Sequence, residues 1–153
     1  RLGFADRAQA EFGMPVSTIE RDAHPLAVAR FVYSVAASKA AANPGQTPSV
    51  ALVSLLPSDG GQLGREVTAV AMEQSGGTNP VLQVTDLTGQ EPSAQAWGAR
   101  SSQTRVVLVG PNTDRYEIRE LMDYLRAVSV SPDLVLFRVA SPSRVRASVG
   151  HEG

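Results

Sequence analysis

In residues 49–65 an unbroken apolar run meets a glycine-rich turn, and no other stretch of the chain constrains the fold as much. Ser49-Val50-Ala51-Leu52-Val53-Ser54-Leu55-Leu56 shows no polar alternation, the pattern of a strand buried on both faces, as in a parallel sheet. Pro57-Ser58-Asp59-Gly60-Gly61 breaks the run. Leu63, Val67, Val70 and Ala71 then recur at helical spacing until Gly76-Gly77 stops them.

The same grammar repeats along the chain. Arg105-Val106-Val107-Leu108-Val109-Gly110 is a second β-like run, closed by Gly110-Pro111, and Leu134-Val135-Leu136-Phe137-Arg138-Val139 is a third. Val81-Leu82-Gln83-Val84 predicts a further strand, and Met14-Pro15-Val16 a short extended piece. Between the runs, Asp114 is positioned to cap a helix that carries Ile118, Leu121, Met122 and Leu125 on one face. An earlier helix is predicted over Pro25 to Ala42, ended by Asn43-Pro44-Gly45, and a short one over Pro92 to Ala99. Strands alternating with helices predict an α/β fold: a three-layer parallel sheet with crossover helices. The expected organisation is an entry arm over residues 1–22, one domain over 23–140 and a flexible tail over 141–153.

The chain has 153 residues, 42% hydrophobic and 19% charged, enough apolar material for one core. Fourteen basic residues face fifteen acidic ones, which leaves no footprint for nucleic acid or an anionic membrane surface. No apolar stretch is long enough to cross a bilayer, and no export signal is recognised, so a cytoplasmic domain is expected. Arg1 in place of Met predicts a start inside a longer chain. There are no cysteines and only two histidines, His24 and His151. That excludes thiolate sites and leaves no H-E-x-x-H cluster, so no metal centre is expected.

A strand that enters a Gly-rich loop and opens a helix is how a P-loop presents backbone N–H groups to phosphate. The fold is therefore expected to be P-loop-NTPase-like. A working loop also needs a Lys for the β/γ-phosphates and a Ser/Thr for Mg²⁺. Here Gly60-Gly61 is followed by Gln62, and Gly64 by Arg65-Glu66, so the motif fails in spacing and in residue type. Ser58, Asp59, Gly60, Gly61 and Gln62 form at most a degenerate phosphate loop, with Arg65 a possible replacement cation. Asp86, ending a β-like run, sits where doubly wound folds place ligands.

On these residues the chain resembles the cytoplasmic tyrosine autokinase domains of bacterial capsule and exopolysaccharide assembly, the Wzc type. Their strand ends in Ser-Pro-x-Pro-Gly-Glu-Gly-Lys-Thr. With Pro57 on the second Pro, Asp59 matches the acid and Gly60 its Gly, while Gly61 and Gln62 replace the Lys and Thr. Gly13-Met14-Pro15-Val16 and His24-Pro25-Leu26 follow the order of that family's entry segment and first helix. Val81-Leu82-Gln83-Val84-Thr85-Asp86-Leu87 matches its second site strand, with Asp86 retained. Its strand ending Asp-x-Pro-Pro and its Tyr-rich tail are missing.

The resemblance implies a catalytically inactive, tyrosine-kinase-like domain, a pseudokinase, that serves as a docking or regulatory component of polysaccharide export. It implies no cofactor, or at most weakly held Mg-ATP. The implied partner is an inner-membrane polysaccharide copolymerase or a second copy of the chain, and the implied location is cytoplasm recruited to that membrane. Arg30, the one residue retained from the family's self-association motif, and Tyr33 are the candidate interface residues, with Phe31 and Tyr33 unable to share one core face. Trp97 either anchors a partner or packs back onto the domain. Two rivals stand beside this reading: a nucleotide-sensing member completed by Arg65, and an unrelated flavodoxin- or receiver-like interaction domain. The receiver version needs acidic neighbours that Asp86 lacks.

Overall fold

A computed structural model describes residues 17–19, 23–54, 60–76, 82–110 and 115–138. The elements are β1 (Ser17–Ile19), α1 (Pro25–Ala42), β2 (Ser49–Ser54), α2 (Gly60–Ser75), β3 (Gln83–Asp86), α3 (Pro92–Ala99), β4 (Thr104–Val109), α4 (Arg115–Ala127) and β5 (Leu134–Arg138). All strands are parallel, in the order β1-β5-β4-β2-β3. The expected α/β fold with helices on both faces of a parallel sheet is therefore what the chain adopts.

The apolar runs explain why the sheet needs two covers. Within β2, Val50 and Leu52 face one core and Ala51 and Val53 the other, and all four are fully buried. The first core lies under α1 and α2, where Ala29, Val32, Ala36, Val67, Val70 and Ala71 meet Val106 and Leu136. The second lies under α3 and α4, where Ala96, Ala99, Ile118, Leu121, Met122 and Leu125 meet Val107, Val109 and Val135. Each large aliphatic side chain buried this way contributes roughly 1.5–3 kcal/mol before entropy is counted. The face predicted for α4 is the face it buries.

Some boundaries differ from the expectation. The strand foreseen at 81–84 runs over Gln83–Asp86 and lies at the sheet edge, where Gln83, Thr85 and Asp86 are exposed. An edge strand has one solvated flank, so its polar residues fit the strand and hide it from an apolar-run reading. The extended piece in the 1–22 arm is Ser17–Ile19, which pairs with β5; residues 14–16 lie outside the described residues. Also outside are Asp114, His151, and residues 139–153 with the foreseen tail. Arg138 is the last residue of β5.

Helix ends follow local chemistry. His24 caps α1, its Nδ1 accepting the N–H of Leu26 at 3.1 Å, and Pro25 sits in the first turn. α2 ends at Gly76 with φ +63°. α4 ends in a Schellman motif: the N–H of Val130 bonds the C=O of Leu125 at 2.8 Å and that of Ser129 the C=O of Arg126 at 3.0 Å. The left-handed residue there is Ser129, φ 60°, where glycine is usual.

Candidate functional site

In a doubly wound sheet, ligands bind at the carboxyl ends of the strands where the order reverses. Here the reversal falls at β2, whose flanks are β3 and β4. Its chain exit, residues 55–59, contains Ser58 and Asp59 and lies outside the described residues. The helix after it begins at Gly60, within the 60–65 window expected from the turn.

What holds the end of β2 is a side chain. The last β2–β3 pair is Leu52↔Asp86, after which the N–H of Leu87 bonds the C=O of Leu52 at 2.9 Å. Ser54 points its backbone groups to the same side but finds no further strand. Gln95, buried on α3, supplies the partner: its Oε1 accepts the N–H of Ser54 at 2.8 Å and its Nε2 donates to the C=O of Ser54 at 2.8 Å. The same Nε2 donates to the C=O of Gln90 at 2.7 Å. A primary amide thus extends the ladder by one rung and fixes where the chain leaves the sheet.

Around the first turn of α2 three expected residues come together. A Cβ at Gly61 would lie 3.5 Å from Nη1 of Arg65 and 3.6 Å from Oδ2 of Asp86, so these two charged groups flank Gly61. Asp86 commits its Oδ1 to the turn that follows, accepting the N–H of Thr88 at 3.0 Å and the hydroxyl of Thr88 at 2.5 Å. Its Oδ2 is the oxygen turned toward α2. Gly64 packs this turn closely, with Val84 and Leu52 3.5 and 3.6 Å from where its Cβ would be. Gln62 is exposed, and its nearest polar link is a 3.4 Å contact from Nε2 to Oε1 of Glu66.

The candidate interface residues are elsewhere. Arg30 is exposed on α1, Tyr33 is half-buried against the α1–α2 core, and Phe31 is the outward aromatic, 43% exposed. Trp97 does not pack back onto the domain. It stands on the outer face of α3, with Arg100 over its ring at 5.5 Å. Along α3, Gln95, Ala96 and Ala99 share the buried face at helical spacing, which turns Trp97 outward.

Among the described residues no group of three His, Cys, Asp or Glu side chains could hold a metal, and no helix is long and apolar enough to cross a membrane. The sequence pointed to Asp86 and Gly61 but not to Gln95, whose role depends on two elements distant in sequence. Comparison with protein-family models, curated proteins and solved structures returns no match for this chain.

Proposed function

We propose that this chain is a catalytically inactive, tyrosine-kinase-like domain that acts by docking, as a component of exopolysaccharide or capsule biosynthesis and export. The observation that supports it is the make-up of the first turn of α2. Gly61 and Gln62 stand where the resembled family has Lys and Thr, and the charged groups flanking Gly61 are a carboxylate and a guanidinium. Backbone N–H groups at a helix start attract phosphate. The Asp86 carboxylate opposes that attraction, and no ammonium stands at Gly61 to neutralise charge in the transition state. Groups of that kind supply several kcal/mol in phosphoryl transfer.

What remains useful is the surface. The domain would sit in the cytoplasm and reach the inner membrane through a polysaccharide copolymerase or through a second copy of itself, using the outer face of α1. The test replaces Arg30 and Phe31 by Ala, leaving Tyr33 to its packing, and measures self-association and capture by the copolymerase. Loss of either, in a variant with unchanged thermal stability, is the expected result. Unchanged assembly and capture would remove α1 from the mechanism.

A second reading is favoured by Arg65, whose Nη1 lies beside Gly61. In it, the guanidinium replaces the missing Lys and the domain senses a nucleotide without turning it over. Under this reading Mg-ATP binds the chain and the Arg65→Gln variant does not bind it.

A further inference from the structure

At the opposite, amino end of the sheet lies a polar cleft of about 750 Å³. Its origin is the shortness of α3. Eight residues rise only about 12 Å, so α3 covers Ala51 but leaves Gln83 and Thr85 exposed and Ser49 and Arg105 half-buried around it. In register, Ala51 pairs with Thr85 on one side and with Arg105 on the other, and Ser49 pairs with Gln83. Residues two apart share a face, so Gln83, Thr85, Ser49 and Arg105 lie on one side of the sheet. The loop after α3 makes the wall, with Arg100 and Gln103, and the end of α1 adds Lys39.

The charge balance of this cleft is one-sided. Its lining holds Lys39, Arg100 and Arg105, many amides and hydroxyls, and no carboxylate. Lys39 is paired with Asp133. No ion pair of the described residues involves Arg100 or Arg105. Arg105 is half-buried and spends Nε on the C=O of Ala99 and Nη2 on the C=O of Arg100, both at 3.1 Å. Those two bonds cap the end of α3 but use two of five donors. A partly desolvated guanidinium without a counter-charge is costly unless an anion answers it. Phosphate matches its fork geometry.

We propose that this cleft binds a small hydroxyl-bearing phosphomonoester, of the sugar-phosphate class, with the phosphate between Arg100 and Arg105 and the hydroxyls on Gln83, Thr85 and Ser49. A mainly polar lining selects a hydrated, polyhydroxylated ligand over a hydrophobic one. The site lies at the other end of the sheet from Gly61 and stands or falls independently of the docking reading.

The test is an amide NMR titration of the full chain with glucose 6-phosphate, with glucose and with inorganic phosphate. Saturable shifts at Thr47, Gln83, Ser101 and Gln103 are expected with glucose 6-phosphate, at a Kd on the order of 0.1–1 mM. Inorganic phosphate should bind more weakly and glucose alone should not saturate. Arg100→Gln should weaken binding at least about fivefold, and Thr85→Glu, which sets a carboxylate in the cleft, should abolish it. Both positions are exposed, and an unchanged melting temperature verifies the fold of each variant. No saturable shift up to 20 mM (about twentyfold the upper bound of the expected Kd) overturns the proposal. So do equal affinity in the Arg100→Gln variant and shifts confined to residues 60–65 and 86–88.

Discussion

The side-chain amide of Gln95 bonds both the N–H and the C=O of Ser54, each at 2.8 Å, and so stands in for the next residue of β3. One glutamine on the helix of the opposite layer thus holds the last residue of β2, from which the chain runs on toward α2.

Replacing Gln95 by Leu keeps the bulk and removes the side-chain partner of two buried backbone groups, those of Ser54, and of the part-buried C=O of Gln90. Each unsatisfied group costs about 1–3 kcal/mol, relieved in part by water, so a total loss of about 2–4 kcal/mol is expected. Chemical denaturation measures it. Gln95→Glu adds a pH signature: burial raises the folded-state pKa of the new carboxyl above its unfolded value. The variant should be closest to wild type below about pH 4 and lose stability as pH rises through the raised pKa.

Ser129 closes α4 with φ 60°, a conformation that strains any side chain but suits glycine. Ser129→Gly should raise stability by about 0.5–1 kcal/mol, less than the full strain because glycine also frees the unfolded chain. A lower melting temperature would show that the Ser129 hydroxyl makes a contribution larger than the strain.

Two helical glycines should respond oppositely to Ala. At Gly64 the new Cβ meets ordinary contacts of 3.5 and 3.6 Å, so the gain in helix propensity wins, at about 0.5–1 kcal/mol. At Gly98 the Cβ would fall 2.8 Å from Cδ2 of Leu87, which is buried in the α3–α4 core. Overpacking of about 1–3 kcal/mol then outweighs the propensity gain, and the variant is less stable. Thermal melts of the two variants read the signs directly.

How far the sequence revealed this fold follows from which side chains were in covered positions. β2, β4 and β5 are apolar on both faces and stood out as runs, and α1 and α3 match their predicted bounds because Pro25 and Pro92 mark their starts. β3 shifted by two residues because an edge strand tolerates Gln83, Thr85 and Asp86. At the site, the approach of Asp86 to the glycine turn was legible from strand-end logic. The nearness of Arg65 to Gly61 also followed from the sequence, since the two stand one helical turn apart. Gln95 sat in a polar stretch with nothing local to mark it.

Asp133, just before β5, ties α1 to β4: one oxygen meets Nζ of Lys39, and the other accepts the N–H of Arg105 at 2.8 Å. Lys39 is over a third exposed, so its ion pair is screened and Lys39→Met should cost under about 1 kcal/mol. Asp133→Ala also strands a part-buried N–H and should cost about 1–3 kcal/mol. Equal losses in the two variants would assign the effect to the ion pair alone.

Under the proposed function, the start of α2 keeps backbone N–H groups suited to phosphate but lacks the Lys and the Ser/Thr that phosphoryl transfer needs. Calorimetric titration of the full chain with Mg-ATP, with a hydrolysis and autophosphorylation assay on the same sample, tests it most directly. Binding no tighter than millimolar and no turnover above the protein-free rate are predicted, because Gly61 and Gln62 offer neither cation nor metal-binding hydroxyl. Micromolar binding abolished by Arg65→Gln, or any turnover by the wild type, would contradict it.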